Sequence, residues 1–188
     1  MTTVAIPAWN ALGLLPPLDP GLPTSPQRSP YPVSLLDVVM RFSTSPERRC
    51  VLAGFLGYRA TLHRMEICEG FQWLDGSFLE DVETLERRFP RDIDVVTFLR
   101  TPAEYVPSDE DIAVLNRAKV QFYVDAYFVE LDELSPDVVV AQSAYWYSMW
   151  SHRRNQAWKG FLQIDLAATD DVRASQWLAQ FDAVEVQS

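Results

Sequence analysis

The residues whose types and spacing could do chemistry lie in the stretch WLDGSFLEDVETLERRFPRDIDVVTF, residues 73–98. Asp92 and Asp94 stand one residue apart at the start of a β-branched run. On a strand their carboxylates project from the same face, roughly 6–7 Å apart. Two such charges repel each other unless a cation or a proton lies between them. Because Mg²⁺ takes oxygen ligands, typically from one or two carboxylates, the pair indicates a Mg²⁺ site.

The same pair has an interpretation without a metal. Asp92 would lie in solvent at the edge of the strand, and Asp94 would form an ion pair with Arg91 or Arg100. Pairing of this kind avoids the cost of burying a lone charge in an apolar strand. Both interpretations remain open at the level of the tripeptide.

A Gly-Ser pair, Gly76-Ser77, lies where an apolar strand is predicted to run into a helix. Such a turn presents backbone N–H groups and a hydroxyl, which bind phosphate oxygens. By itself Gly-Ser is an ordinary turn. Combined with a carboxylate pair it forms the two halves of a phosphoryl-transfer site, where catalysis is mainly positioning and charge neutralisation.

Together, WLDGS and DIDVV resemble the signature of the DNA polymerase beta-type nucleotidyltransferase superfamily. The resemblance implies that Gly76 and Ser77 contact the nucleotide's phosphates and that Asp92 and Asp94 bind two Mg²⁺ ions with the nucleoside triphosphate. It also implies a third carboxylate on a neighbouring strand, which completes the metal site and assists deprotonation of the acceptor hydroxyl. Asp125, the lone acid in the middle of FYVDAYF, matches that position.

Further segments resemble a group of bacterial nucleotidyltransferase-like proteins whose activity is inferred from their fold. These segments are IPAWNALGLLPP, GFQWLDGSFLED, PRDIDVVTF, VDAYFVE and SHRRNQAWKGFLQIDL. One departure from the superfamily pattern is the spacer of 14 residues between Ser77 and Asp92, which is slightly longer than usual and acidic. Within it, Glu80 and Asp81 would repel a triphosphate unless they point outward on a solvated helix face.

A basic cluster, His152, Arg153, Arg154 and Lys159, stands out in an acidic chain. Arg153, Arg154 and Lys159 are candidate phosphate contacts, because Arg offers a bidentate fork and Lys a point charge. A helix C-terminus also favours cations through its dipole, which is the structural alternative. For His152 we expect a cap or boundary position. The preceding aromatic residues, YWYSMW, predict core packing, with base stacking as the alternative.

The elements that must position these residues predict an α/β (α+β) fold, a small mixed sheet flanked by helices. Helices are predicted over 35–42, 46–69, 109–118, 136–150 and 169–184, with Thr169 capping the last. Residues 77–89, capped by Ser77, are predicted to form either a short helix or an irregular excursion. Strands are predicted within 71–76, 93–99, 120–131 and 158–167, of which 120–131 is apolar on both faces and therefore expected to be central.

Residues 1–33 are predicted to form an extended, Pro-rich arm, and residues 34–188 a single nucleotidyltransferase-like domain. Eight of the thirteen prolines lie in the first 32 residues, where they remove backbone donors and block helix formation. Apolar residues such as Ile6 and Trp9 favour packing along the domain. A disordered leader is the alternative.

Composition sets the class of protein. The 188 residues are 48% hydrophobic and 12% aromatic, as in globular chains. No apolar run reaches the about 18 residues of a membrane span, and no secretory signal is recognisable. Cys50 and Cys68, predicted within one helix and without metal-ligand spacing, are expected to be reduced core thiols of a cytoplasmic protein. The net charge of −10 opposes broad nucleic-acid binding.

The expected function is Mg²⁺-dependent transfer of a nucleoside monophosphate from an NTP, such as ATP, to a hydroxyl of a protein, a small molecule or an RNA end. The acidic surface favours a protein or small-molecule acceptor over long nucleic acid, and the resemblance permits a toxin–antitoxin or phage-defence context. Two alternatives remain: a catalytically silent nucleotide-binding module of the same fold, and an interaction protein that docks a partner through the Pro-rich arm.

Overall fold

Five strands form one mixed sheet in the part of the chain that the structure, a computed structural model, describes, residues 3–132 and 134–185. The strands are β1 (Tyr31–Pro32), β2 (Glu69–Asp75), β3 (Ile93–Arg100), β4 (Val124–Glu130) and β5 (Leu162–Asp165). Their order in the sheet is β1-β5-β2-β3-β4. β2 runs antiparallel to both β3 and β5, whereas β4 is parallel to β3 and β1 is parallel to β5.

Seven α-helices and one 3₁₀ turn, Ser77–Leu79, accompany this sheet within the described residues. The helices are α1 (Leu35–Phe42), α2 (Pro46–Arg64), α3 (Val82–Glu86), α4 (Asp109–Asn116), α5 (Ala118–Phe122), α6 (Pro136–Trp150) and α7 (Asp171–Glu185). The side chains of Ser34, Ser45 and Ser108 cap α1, α2 and α4. The predicted fold class, a small mixed sheet flanked by helices, is confirmed.

The sheet is covered on both faces. Val95 and Val96, adjacent in β3 and therefore on opposite faces, are both fully buried. Part of this cover is aromatic: the ring of Trp150 in α6 lies 5.9 Å from that of Phe161, which lies 5.2 Å from Trp73 of β2. The YWYSMW stretch therefore contributes to the core through its tryptophans, as predicted, while Tyr145 remains 57% exposed.

The N-terminal segment lies against the domain. Leu14 and Leu15 are buried, and the indole N–H of Trp9 donates to the carbonyl of Leu79 at 2.7 Å. The segment also supplies β1, which was not predicted. A strand of two residues has no periodicity, and it lies in a proline-rich stretch.

The prediction that residues 120–131 form a central strand is wrong. Residues 118–122 form α5, and β4 begins only at Val124 and lies at the edge of the sheet, with Tyr127 and Phe128 about 40% exposed. Tyr123, in the left-handed conformation at φ 57°, separates the helix from the strand. Short apolar runs do not distinguish helix from strand by pattern, and aromatic residues at an edge resemble those of a core.

The predicted long helix from 46 to 69 is also too long. α2 ends at Arg64, and Glu66, with φ 61°, turns the chain toward β2. Cys68 thus lies outside the helix that holds Cys50, and Cys50 is exposed, so the expectation of two core thiols in one helix is wrong. Both cysteines are free.

Residues 77–89, predicted as a short helix or an excursion, contain a helix of only five residues. The segment consists of the 3₁₀ turn and α3, which Asp81 caps through the backbone N–H of Thr84. The helix stops at Arg87, in the left-handed conformation, before Pro90 is reached.

Candidate functional site

Three neighbouring strands bring carboxylates into one row at one end of the sheet. Asp75, the last residue of β2, pairs in register with Asp94 of β3, and Asp94 pairs in register with Asp125 of β4. Residues at paired positions project from the same face of a sheet. Asp92, two positions before Asp94, joins them. We refer to Asp92, Asp94 and Asp125 as the acid site.

The Gly76-Ser77 turn rests directly against the acid site. Gly76 has φ 88°, a region that side-chain-bearing residues rarely adopt, and it starts the 3₁₀ turn. A Cβ built on Gly76 would lie 2.3 Å from Oδ2 of Asp94. Only glycine allows the backbone of the turn to lie this close to the carboxylate of Asp94, because any Cβ at position 76 would clash with it.

Gly76→Ala is therefore expected to destabilise the protein by about 1–3 kcal/mol, because the new methyl group adds both overpacking and an unfavourable φ. Urea denaturation measures the loss. Gly57→Ala is the matched control, since its Cβ would meet nothing closer than 3.4 Å. In the interior of α2 that change is expected to stabilise by about 0.5–1 kcal/mol. Equal effects of the two substitutions would contradict the close approach.

The carboxylates of the acid site repel each other. Burial raises the pKa of Asp94 to about 6, and the nearby charges of Asp92 and Asp125 add to the rise. Lys119 of α5 lies between the other two acids: its Nζ is 2.7 Å from Oδ2 of Asp125 and 3.1 Å from Oδ2 of Asp92. The metal-free alternative, an ion pair of Asp94 with Arg91 or Arg100, is not what the structure shows, since Arg100 pairs with Asp132.

The donor set suits a hard divalent cation. It offers only carboxylate oxygens, it lies beside a turn with a hydroxyl, and Asp94 is held among like charges. Among the described residues, no three His, Cys, Asp or Glu side chains are arranged so that they could hold a metal ion as they stand. The position between Asp92 and Asp125 carries the ammonium of Lys119 instead.

Lys159 is the buried member of the basic cluster. Its Nζ lies 2.9 Å from Oδ1 of Asp75 and 3.1 Å from Oε1 of Glu80, and all three side chains are at most 7% exposed. Burial raises the pKa of Asp75 to about 7 despite the opposing effect of Lys159. The charge of Lys159 is thus offset within the protein. Glu80 does not lie on a solvated helix face, as the sequence suggested, because it forms this ion pair.

Arg153 and Arg154 differ in their surroundings. Arg153 pairs with Glu80, at 3.1 Å, and with Glu86. Arg154 is exposed and, like Arg91, forms no ion pair with any residue that the structure describes. Of the predicted phosphate contacts in the basic cluster, only Arg154 therefore presents an uncompensated charge.

The turn, part of the acid site and the basic cluster line one cleft with a volume of about 880 Å³. Its lining includes these predicted site residues: Gly76, Ser77, Asp92, Asp94, Arg153, Arg154 and Lys159. His152 also lines it, at the half-buried boundary expected. Asp125 lies one strand further out, beside Asp94.

Arg48 stabilises the Gly76-Ser77 turn through hydrogen bonds to the backbone that follows it. This fully buried guanidinium donates to the carbonyl of Phe78 and, at 2.6 Å, to that of Glu80, and it also pairs with Glu83. Its hydrogen bonds fix the backbone that follows Ser77 and satisfy carbonyls that would otherwise be buried without donors.

Sequence reasoning missed several residues of the site. They are Arg48, Asp75, Arg88, Arg91 and Lys119. Asp75 carried a readable signal, an acid at the end of an apolar strand directly before Gly-Ser. Arg48 and Lys119 carried none, because each reaches the site from an element distant in the chain. Arg88 and Arg91 lie just before Asp92 in the sequence, but no pattern marked them as residues of the cleft.

By fold and site, this is an α+β protein whose mixed sheet ends in a carboxylate-rich cleft. The chain belongs to DUF6932, a family of unknown function, whose family model matches residues 7–165. The match includes the turn, the acid site and the basic cluster. No curated protein and no solved structure matches the chain. Within the described residues, no helix is both long and apolar enough to cross a membrane.

Proposed function

We propose that this protein is a Mg²⁺-dependent nucleotidyltransferase of the DNA polymerase beta type, which moves a nucleoside monophosphate from an NTP to a hydroxyl. One observation carries the proposal: the glycine of the Gly76-Ser77 turn lies against Asp94, with Asp125 in register on the next strand. A phosphate-binding turn and carboxylates in contact are what phosphoryl transfer requires.

Each part of the site has a role in this proposal. Asp92, Asp94 and Asp125 would hold Mg²⁺, which supplies charge neutralisation to the triphosphate and the transferred phosphoryl group. The backbone N–H groups and hydroxyl of Gly76-Ser77 would bind phosphate oxygens. Asp125, on the outer strand, would accept the proton of the attacking hydroxyl, whose oxygen would bond to the α-phosphorus as pyrophosphate leaves.

The arginines at the mouth of the cleft would complete the phosphate site. Arg154 and Arg91 are exposed and lack ion pairs with the described residues, so their guanidinium groups are available to a triphosphate. Lys159 and Arg153 already form ion pairs with Asp75, Glu80 and Glu86. They would hold these acidic side chains in place and would not contact phosphate directly.

For the acceptor we propose a protein or a small molecule, because a net charge of −10 opposes the approach of long nucleic acid. An RNA end remains a candidate of the same chemistry, and a toxin–antitoxin or phage-defence setting is part of this proposal. The two free cysteines suit a reducing, cytoplasmic location.

A second candidate is a catalytically silent nucleotide-binding module. The observation that favours it is Lys119, whose ammonium already forms ion pairs with both Asp92 and Asp125. In such a protein the arginines would still bind a nucleotide, while the acid site would take no metal ion.

Isothermal titration of the protein with ATP and with the other NTPs tests the proposal, with and without MgCl₂. We expect Mg²⁺-dependent binding, weakened roughly five- to tenfold by Arg154→Gln through loss of a charge-assisted phosphate contact. Arg117→Gln, which changes an exposed arginine outside the cleft lining, is the control. Absence of NTP binding at millimolar concentration would contradict the proposal. NTP binding of equal affinity with and without MgCl₂ would favour the silent module.

The acceptor can be found directly. The protein is incubated with each labelled NTP, Mg²⁺ and a cell lysate, and the labelled species are identified by mass spectrometry, which also detects modification of the protein itself. Asp92→Ala should label nothing. Labelling that persists in Asp92→Ala would exclude the acid site as its source.

A further inference from the structure

Lys119 projects from α5 into the acid site. Its Nζ lies within hydrogen-bonding distance of both acids that flank it, 2.7 Å from Asp125 and 3.1 Å from Asp92. A cation at this point relieves the repulsion between carboxylates, as a metal ion does. The ammonium and a divalent ion bound to the same two oxygens exclude each other sterically and electrostatically.

The backbone beneath Lys119 is held in place. The N–H of Ile93 donates to the carbonyl of Tyr123 at 3.0 Å, which ties the start of β3 to the end of α5. On the other side α5 packs on α2, where a Cβ at Gly54 would lie 2.3 Å from the carbonyl oxygen of Phe122. The Cα of Lys119 therefore has a fixed position relative to both carboxylates.

The side chain of Lys119, in contrast, is free to leave. It is 57% exposed, and its flexible four-carbon stem allows the ammonium to rotate into solvent without any backbone change. Ion pairs this exposed are weak, because water screens the charges and two long side chains must be held in one geometry.

We propose that Lys119 is a built-in counter-cation, which occupies the acid site in the metal-free protein and must swing out before a divalent ion binds. The inference rests on the proposed function and adds a regulatory residue to it. In this arrangement Lys119 keeps Asp92 and Asp125 together when no metal is bound. It also weakens their affinity for the metal, so that the ion and the NTP are favoured to enter together.

The test measures metal binding alone. Full-length wild type and Lys119→Gln are titrated with MnCl₂ from 0.01 to 10 mM and free Mn²⁺ is followed by electron paramagnetic resonance, without nucleotide. We expect the apparent Kd for Mn²⁺ to fall roughly five- to tenfold in Lys119→Gln, because two screened ion pairs no longer compete with the metal. Lys119→Arg should bind like wild type, since the competing cation is retained.

Arg117→Gln is the control for the general loss of one positive charge, because Arg117 is an exposed residue two positions away without an ion pair to the described residues. If Lys119→Gln and Arg117→Gln tighten Mn²⁺ binding equally, or neither does, the counter-cation role is overturned while the metal site stands. If neither wild type nor Lys119→Gln binds Mn²⁺ up to 10 mM, with or without ATP, the metal site itself is absent and the proposed function fails with it.

Discussion

Asp94→Asn is expected to make the metal-free protein more stable while it abolishes the proposed nucleotidyl transfer. Burial and the neighbouring acids raise the pKa of Asp94 from 3.8 to about 6, so the folded state disfavours the ionised carboxylate. Removal of that ionisation should raise the free energy of unfolding at pH 8 by roughly 2–3 kcal/mol. A residue that costs stability at its own position is typical of a functional site.

The pH dependence has a defined sign. Below about pH 3.5 Asp94 is protonated in both the folded and the unfolded chain, so Asp94→Asn should have little effect there. As the pH rises, the unfolded chain loses this proton before the folded protein does. The free energy of unfolding of wild type therefore falls progressively until the pH passes 6, where Asp94 is ionised in both states. The stability gain of Asp94→Asn should therefore grow between pH 4 and pH 7 and then level off.

Urea denaturation of wild type and Asp94→Asn at pH 4, 6 and 8, without divalent ions, measures this effect. Asp132→Asn is the matched control, because Asp132 pairs with Arg100 and accepts from the backbone N–H of Thr101. That substitution should give no gain at any of these pH values. A loss of stability in Asp94→Asn at pH 8 would show that Asp94 has a stabilising partner, and a gain already complete at pH 4 would exclude ionisation as its cause.

Lys159→Met is expected to be strongly destabilising, by roughly 3–5 kcal/mol, because it leaves buried carboxylates without their cation. Lys159 is 7% exposed and bonds both Asp75 and Glu80, of which Asp75 has no other ion pair among the described residues. Methionine retains much of the volume and the apolar stem, so the loss reports the charge and not a cavity.

Arg154→Gln separates the two kinds of cation in the basic cluster. It should leave the free energy of unfolding within about 0.5 kcal/mol of wild type, as exposed substitutions do, and weaken only NTP binding. Urea denaturation and isothermal titration on the same preparations compare the two variants. If Lys159→Met proves as stable as wild type yet loses NTP binding, Lys159 contacts phosphate directly and the buried ion pair with Asp75 is not its role.

The sequence predicted the elements that depend on local signals. Helix starts at Ser34, Ser45 and Ser108 were readable because a capping side chain bonds a backbone N–H only a few residues away. β3 was readable because a continuous β-branched run is buried on both faces. β4 was misplaced in the sheet because the order of strands depends on pairing between distant segments, which a run of apolar residues does not encode.

The candidate site also contains residues that local sequence identifies and residues whose roles depend on tertiary contacts. Gly76, Ser77, Asp92 and Asp94 could be selected from the sequence because their types and spacing match the proposed chemistry. The roles of the basic cluster could not, since Lys159 meets Asp75 across 84 positions of the chain. The sequence alone does not distinguish a lysine that pairs with a buried acid from an arginine that faces a cleft.

The sequence by itself thus determined that a glycine turn and paired carboxylates lie on consecutive strands of a mixed α+β fold. Only the tertiary structure decided which charges are already paired within the protein: Lys159 with Asp75 and Glu80, and Lys119 with Asp92 and Asp125. The physical reason is that local periodicity and capping act over a few residues. Charge compensation, in contrast, depends on distances of a few ångströms between side chains that only the packed fold brings together.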